Sequence, residues 1–263
     1  MPQDVEGEPQ VLVDRHDGDV VLLTLNRPKM NALSTGLLGL LADTIVGLRD
    51  SSPGAIVISG GDRIFAAGAD VSEFDQPDAP ARVVESFRAV TDALDSAGCP
   101  SIAAISGYAL GGGLELALGC DFRFAAPNAR MGQPEILLGI IPGGGGTQRL
   151  ARLVGPSRAK DLVMTGRQLR PDEALGWGLV DRVCEDDGVL GLALDFAKGL
   201  ASGPRLAIRA AKHTIDGGLD TDLDSGLRIE RDAFIELLGT EDARRGIASF
   251  FEHGPGKATF VGR

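Results

Sequence analysis

The chain has 263 residues, of which 43% are hydrophobic and 24% charged, a balance typical of globular proteins rather than disordered or fibrous ones. Acidic side chains outnumber basic ones by 37 to 26, and the formal net charge at pH 7 is −11. The negative charge argues against nucleic-acid binding through phosphate contacts, and the low aromatic content, ten Phe, one Tyr and one Trp, argues against base stacking. A small anionic ligand remains possible.

The cysteines and the start of the chain indicate its compartment. Cys99, Cys120 and Cys184 are odd in number and far apart, so we expect reduced thiols rather than disulfides or a zinc site. The first residues are acidic and lack the apolar stretch of a signal peptide. We therefore expect a cytoplasmic protein.

Short apolar runs alternate with helical patterns through most of the chain. Strands are predicted at 11–13, 20–25, 55–58, 101–105, 122–126 and 179–183. Helices are predicted at 34–49, where Ser34 can cap the N-terminus, and at 81–97. Strands separated by helices predict a layered α/β core.

The segment 101–119 requires a separate check because it carries a single charge, Glu115, and approaches the length of a membrane span. Gly107 and the glycines at 111–113 interrupt it. We therefore predict a buried strand, a glycine turn and a buried helix, and no contact with a membrane.

From about Asp187 onward only helical patterns occur, with helices predicted at 204–215 and 219–238. The sequence thus predicts an α/β core at 1–190 and a helical region at 191–263. We expect the helical region to dock on a neighbouring subunit.

Several well-known motifs are missing from the sequence. It contains no phosphate-binding P-loop, no dinucleotide-binding glycine pattern and no G-x-S-x-G nucleophile elbow. His16, His213 and His253 share no ligand spacing, and we expect them at the surface.

A glycine turn followed by a carboxylate is the first candidate for chemistry. Residues 105–117 predict a strand, the turn Gly111–Gly113 and a helix with Glu115 in its first turn. Glycines let the backbone approach a ligand, and unpaired N–H groups at a helix start attract an anion or a developing oxyanion. The structural alternative is a tight buried turn in which Glu115 compensates the helix dipole, although burying a carboxylate is costly.

A second carboxylate, Glu135, follows Pro134 at a predicted short helix, and the glycine cluster Gly143–Gly146 opens the next helix. Two carboxylates in apolar surroundings form a natural acid/base pair, because repulsion and desolvation push their pKa values apart. Considered alone, Glu135 is equally compatible with a capping role.

The segment 65–71 consists mainly of small residues after the third predicted strand. Together with the glycine turn it can supply two backbone N–H donors to one oxygen. Alone, such a run is more typical of close packing.

In this order the motifs resemble those of the enoyl-CoA hydratase (crotonase) family. The matching stretches are 25–28 with 31–33, 65–70, 107–113 with Glu115, 132–150 and 162–166. The resemblance implies an α/β fold, a crotonase-like spiral of repeated ββα turns with a C-terminal helical region that forms trimers, often paired into hexamers. It also implies an acyl-CoA thioester substrate, with coenzyme A as part of the substrate, and neither a cofactor nor a metal ion.

Carried over position by position, the backbone N–H groups of Ala69 and Gly112 correspond to the oxyanion hole for the thioester carbonyl. Glu115 and Glu135 correspond to the two catalytic carboxylates, the first holding and activating water and the second delivering a proton. Gly143 corresponds to a backbone position that helps to place the water. The positions that line the coenzyme A and acyl site are Lys29, Met30, Ala67, Asp70, Val71, Leu110, Pro134 and Gly143.

The resemblance favours a hydratase that converts trans-2-enoyl-CoA into 3-hydroxyacyl-CoA, because family isomerases keep mainly the second carboxylate. The alternatives are a Δ3-Δ2 enoyl-CoA isomerase or another CoA-ester enzyme, and a catalytically silent acyl-CoA-binding protein. A serine peptidase on a related frame is disfavoured by the missing nucleophile elbow. The motifs leave open the acyl chain length and the pathway, fatty-acid degradation or another.

Two positions depart from the family pattern. Ser72 stands where many relatives carry Lys, and the segment 253–257 is less basic than usual. Both departures concern the contacts to the phosphates and adenine of coenzyme A rather than the acyl chemistry.

Overall fold

Two β-sheets position the site in a computed structural model that describes residues 10–75, 78–186 and 188–263. The main sheet contains β1 Val11–His16, β2 Val20–Leu25, β3 Ala55–Ser59, β4 Ser101–Ile105, β6 Phe122–Ala125 and β9 Arg182–Val183, in that spatial order. Only β1 and β2 pair antiparallel within it. The second sheet contains β5 Tyr108–Leu110, β7 Arg130–Gly132 and β8 Gln168–Leu169.

Ten α-helices lie within the described ranges. They are α1 Thr35–Gly47, α2 Ala79–Asp95, α3 Gly112–Leu118, α4 Gly146–Val154, α5 Pro156–Thr165, α6 Pro171–Trp177, α7 Val189–Ala201, α8 Arg205–Leu219, α9 Leu223–Leu238 and α10 Glu241–His253. Short 3-10 helices occupy Arg49–Ser51, Val71–Glu73 and Pro134–Leu138. Two successive units each contain one strand in the main sheet, one strand in the second sheet and then a helical segment. They are β4, β5 and α3, followed by β6, β7 and the 3-10 helix Pro134–Leu138, as the predicted ββα spiral requires.

The side chains of the main sheet divide between two hydrophobic clusters because successive residues of a strand point to opposite faces. Val21 and Leu23 of β2 belong to the larger cluster, which includes the buried sides of α1, α2 and α3. Val20 and Leu22 belong to the smaller cluster, which α7 covers. The strands are therefore apolar on both sides, as expected for a largely parallel sheet.

The six predicted strands are confirmed, although β9 covers only the last two residues of the predicted strand 179–183, and the helices predicted at 34–49, 81–97 and 204–215 begin within two residues of their predicted starts. Ser34 caps α1, since its hydroxyl accepts a hydrogen bond from the Leu37 N–H at 3.1 Å. The prediction of one helix at 219–238 is wrong at its start, because α8 continues to Leu219 and Asp222 caps a new helix at Leu223. The segment 101–119 forms β4, β5 and α3, and within the described ranges no helix has the length and hydropathy of a membrane span.

The helices after β9 differ in what they cover. α7 packs on the main sheet through Val189, Ala193, Ala197 and Ala201. The division of the chain into two regions at residue 190 stays a prediction. The helices α8, α9 and α10 expose large apolar side chains. The exposed ones include Ile215, Leu219, Leu223, Leu227, Phe234, Ile235, Leu238, Phe250 and Phe251.

A buried ion pair attaches α8 to the main sheet. The ammonium of Lys212, with 5% of its side chain exposed, lies 2.5 Å from the carboxylate of Asp121. The other oxygen of Asp121 accepts hydrogen bonds from the backbone N–H and hydroxyl of Ser101, at the start of β4. A lysine so poorly hydrated depends on this carboxylate for its stability.

We expect Lys212→Met to lower the free energy of unfolding by about 2 kcal/mol, since it leaves Asp121 without its cation. The matched control is Lys198→Met, whose exposed pair with Asp17 spans 3.3 Å and should be worth less than about 0.5 kcal/mol. Urea unfolding of both variants measures the difference. Equal stabilities would show that the buried pair does not hold α8.

Candidate active site

The carboxylate of Glu115 is buried at the start of α3, with 3% of the residue exposed. Its Oε1 accepts hydrogen bonds from the backbone N–H groups of Gly144 at 2.7 Å and Gly146 at 2.8 Å. Burial raises the pKa of Glu115, and the two N–H groups act in the opposite direction. The predicted turn and helix start are confirmed, and Glu115 lies against the second glycine cluster.

Glycines are required where this loop meets Glu115. A Cβ placed on Gly144 would lie 2.9 Å from Oε2 of Glu115, and one on Gly146 would lie 2.6 Å from the Gln133 amide. Gly145, between them, has φ of +109°, a conformation that L side chains rarely adopt. The cluster therefore lets two donors, one on each side of Gly145, converge on one carboxylate oxygen.

The second carboxylate, Glu135, lies on the 3-10 helix Pro134–Leu138 and is half-buried. The fully buried Gln133 donates its side-chain amide to both oxygens, at 2.9 and 3.1 Å, in the amide orientation that satisfies both groups. A Cβ on Gly111 would lie 3.0 Å from Oε1 of Glu135. Glu135 thus lies beside the turn that precedes α3.

The two carboxylates share one environment because the Gln133 amide contacts Glu135 and also lies against Gly146, a donor to Glu115. Burial raises the pKa of Glu135 to about 7, its own backbone N–H works to lower it, and the negative charge of Glu115 adds to the rise. Near neutral pH, Glu135 therefore exchanges a proton readily.

Two backbone N–H groups, those of Ala69 and Gly112, lie close together near the carboxylates. A Cβ on Gly112 would lie 3.0 Å from the backbone nitrogen of Ala69, so the two residues are adjacent. Within the described ranges, neither the N–H of Ala69 nor that of Gly112 donates to a protein acceptor. Unpaired N–H groups at a helix start are suited to an oxygen that carries negative charge.

A buried ion pair fixes the chain next to Ala69. Arg27 lies 2.7 Å from Asp70, and both side chains are less than a tenth exposed. Ser72 donates its backbone N–H and its hydroxyl to the other oxygen of Asp70. Burial works to raise the pKa of Asp70, but the hydrogen bonds from Ser72 and Arg27 outweigh it and lower the pKa.

The remaining candidate residues lie around these groups at different depths. Asp70 is buried, and its carboxylate pairs with Arg27. Ala67, Leu110 and Pro134 are half-buried. The N–H of Ala67 donates to the carbonyl of Met30 at 3.0 Å, which links the first motif to the third. The exposed candidates are Lys29, Met30, Val71 and Gly143.

Four residues in this region escaped sequence reasoning as functional candidates. Arg27 and Gln133 lie inside the matching stretches 25–28 and 132–150, and Gly144 and Gly146 lie inside the glycine cluster Gly143–Gly146. Their place in these motifs is the one feature of the sequence that could have marked them as functional. Their hydrogen-bond partners are distant in sequence, which is why their roles depend on the structure.

The fold places the chain in the crotonase class of α/β enzymes. The sequence model of the enoyl-CoA hydratase/isomerase family matches residues 15–261, and the chain belongs to that family.

Known proteins of this family resemble the chain over nearly its whole length. It is 43% identical to a probable enoyl-CoA hydratase of Rhizobium meliloti (strain 1021), covering 92% of this chain and 95% of the relative. It is 40% identical to a short-chain-enoyl-CoA hydratase of Clostridium acetobutylicum, covering 90% and 92%. A crystal structure of enoyl-CoA hydratase from Bacillus anthracis has a TM-score of 0.91 and 36% identity, covering 97% and 100%.

The raised pKa of Glu135 predicts a stability difference that depends on pH. Ionising a group whose pKa is higher in the folded state costs folding free energy, so this cost develops as the pH rises from about 4.5 through about 7. Glu135→Gln removes the ionisation and should melt at a higher temperature than the wild type above pH 7, with the difference fading near pH 4. Exposed Glu230→Gln serves as control, and parallel melting curves at all pH values would contradict the prediction.

Proposed function

We propose that the chain is an enoyl-CoA hydratase, a hydro-lyase that adds water across the double bond of a trans-2-enoyl-CoA thioester. The observation that carries the proposal is the presence of two carboxylates, Glu115 and Glu135, joined through Gln133 and Gly146 beside two unpartnered backbone N–H groups. The hydratase names of relatives about 40% identical support it.

The first requirement of the reaction is an electrophilic β-carbon. Water attacks C3 only if electron density moves from the double bond toward the thioester carbonyl oxygen. The N–H groups of Ala69 and Gly112 would donate to that oxygen and stabilise the enolate-like charge. One such donor is typically worth about 2.7–4 kcal/mol.

The second requirement is the movement of two protons. In the proposed step, ionised Glu115 accepts a proton from water while the water oxygen bonds to C3. Protonated Glu135 then delivers a proton to C2, so that the π bond is replaced by one C–O and one C–H bond. Return of one proton from Glu115 to Glu135 restores the starting state, and no electron transfer or cofactor enters the balance. Each acid/base group contributes roughly 10²–10⁴-fold.

The acyl part of the substrate would meet an apolar surface. Val71, Met30 and Val84 are exposed around the motifs that line the proposed site, with exposed fractions of 56%, 41% and 41%. The name of the Clostridium acetobutylicum relative favours a short acyl chain. Lys29 is the exposed cation proposed to contact coenzyme A. Ser72, whose hydroxyl donates a hydrogen bond to Asp70, supplies no positive charge for this contact.

The proposal extends to the assembly and its compartment. The exposed apolar side chains of α8–α10 include Leu223 at 77% and Phe251 at 83%, and apolar surface of this kind marks an interface between subunits. We infer a homotrimer or a pair of trimers built through these helices. The three unpaired thiols support a reducing, cytoplasmic location.

Replacing Glu135 by Gln should leave binding of CoA esters nearly unchanged and lower the hydration rate at least about a hundredfold, because the amide cannot deliver a proton. Loss of enoyl-thioester absorbance with crotonyl-CoA measures hydration, and the exposed Glu173→Gln variant is the control. Near wild-type turnover in Glu135→Gln would rule out its acid/base role.

The wild type also separates the alternative functions. Turnover of a 3-enoyl-CoA but not of a 2-enoyl-CoA, with a gain of absorbance, would favour the isomerase, and binding of CoA esters without any turnover would favour the catalytically silent protein.

The assembly is tested by light scattering. We expect the wild type to have three or six times the 27.4 kDa mass of one chain, and Phe251→Asp to shift it toward the single chain. The control is Val13→Asp on β1, an apolar residue with 46% exposure outside α8–α10. A wild type that remains a single chain at micromolar concentration would contradict the proposed interface.

A further inference from the structure

The ring of Phe87, on α2, packs against two glycines of the site, Gly112 and Gly144. It is 2% exposed and belongs to the larger hydrophobic cluster. A Cβ placed on Gly112 would lie 2.5 Å from Cζ of its ring, and a Cβ placed on Gly144 would lie 2.7 Å from Cγ. One ring therefore occupies the volume that side chains at both positions would need.

The two glycines belong to different parts of the proposed machinery. Gly112 carries one of the two unpartnered N–H groups, beside the nitrogen of Ala69. Gly144 donates its N–H to Oε1 of Glu115, and the Cβ position that lies against the ring is also 2.9 Å from Oε2. The ring of Phe87 thus lies between the proposed oxyanion hole and the loop that holds Glu115.

α2 is held in place relative to this loop. Val84, one turn before Phe87, lies against Gly143, with its Cγ2 3.3 Å from a Cβ placed there. At the other end of the helix, Asp95 lies 3.5 Å from Arg149 of α4, the helix that begins at Gly146. The helix therefore presents Phe87 to the two glycines from a fixed position.

We propose that Phe87 is a positioning residue that fixes the spacing between the N–H of Gly112 and the Glu115-binding loop and excludes solvent other than the reacting water from the space beside that loop. The inference rests on the proposed hydratase function, since it assigns Phe87 a role in the geometry of that site. An aromatic ring suits this role because it is rigid and has only two side-chain torsions. A smaller aliphatic side chain would leave space into which either backbone segment or a water molecule moves.

Loss of the ring should affect turnover more than binding. The ring lies against Gly112, which carries one proposed oxyanion-hole N–H, and against Gly144, which holds Glu115, and small displacements of such groups reduce rates by about tenfold to a hundredfold. Water beside Glu115 would also remove part of the desolvation that raises its pKa, and Glu135 is the other titratable group of the site. The acidic limb of the rate profile should then move to lower pH.

The test compares Phe87→Leu with Phe124→Leu. Phe124 is also fully buried, but it lies in the smaller cluster on the other face of the main sheet, against Phe196. Both variants lose the same atoms from a packed core, so both should lose stability. We expect kcat for crotonyl-CoA hydration to fall about tenfold or more in Phe87→Leu with KM changed by less than about threefold, and to stay near wild type in Phe124→Leu.

Phe87→Met, which keeps more of the side-chain length, should give an intermediate kcat and serves if Phe87→Leu does not fold. Equal kcat values and superimposable pH profiles for the Phe87 and Phe124 variants would overturn the inference and leave Phe87 a core residue. A wild type that hydrates no enoyl-CoA would instead overturn the proposed function. The two failures are therefore distinguishable.

Discussion

The site depends on a buried carboxylate that is hydrogen-bonded by backbone rather than by a cation. Oε1 of Glu115 receives the N–H groups of Gly144 and Gly146 and no side-chain cation within the described part of the chain. Because N–H dipoles compensate the charge without neutralising it, the carboxylate stays available for proton transfer. This constraint explains Gly144, since a Cβ at that position would lie 2.9 Å from Oε2 of Glu115.

Much of the fold could be predicted from local sequence. The runs at 20–25 and 101–105 are long enough to predict strands, and Ser34 marks the start of α1. The second sheet could not be predicted in this way, because its strands contain two or three residues and show no alternation. The break between α8 and α9 was missed because both sides have helical periodicity and a single cap at Asp222 separates them.

The candidate site was only partly readable. Unusual carboxylates and glycine clusters indicated Glu115 and Glu135, and the family resemblance supplied Ala69 and Gly112; their catalytic roles stay predictions. Long-range partners carry no local signal: Gly146 is 31 positions from Glu115. Asp70 illustrates the limit, because its buried ion pair with Arg27, 43 positions earlier, leaves no signal in the local sequence.

The main sheet separates two hydrophobic clusters, one below the site and one below α7. Substitutions that accumulate under α7 alter packing on a face that the carboxylates do not share. Such a division gives evolution two nearly independent regions: one in which volume can drift as long as the fold survives, and one in which shape is tied to chemistry. The far face is accordingly the natural place to add thermal robustness without disturbing substrate turnover.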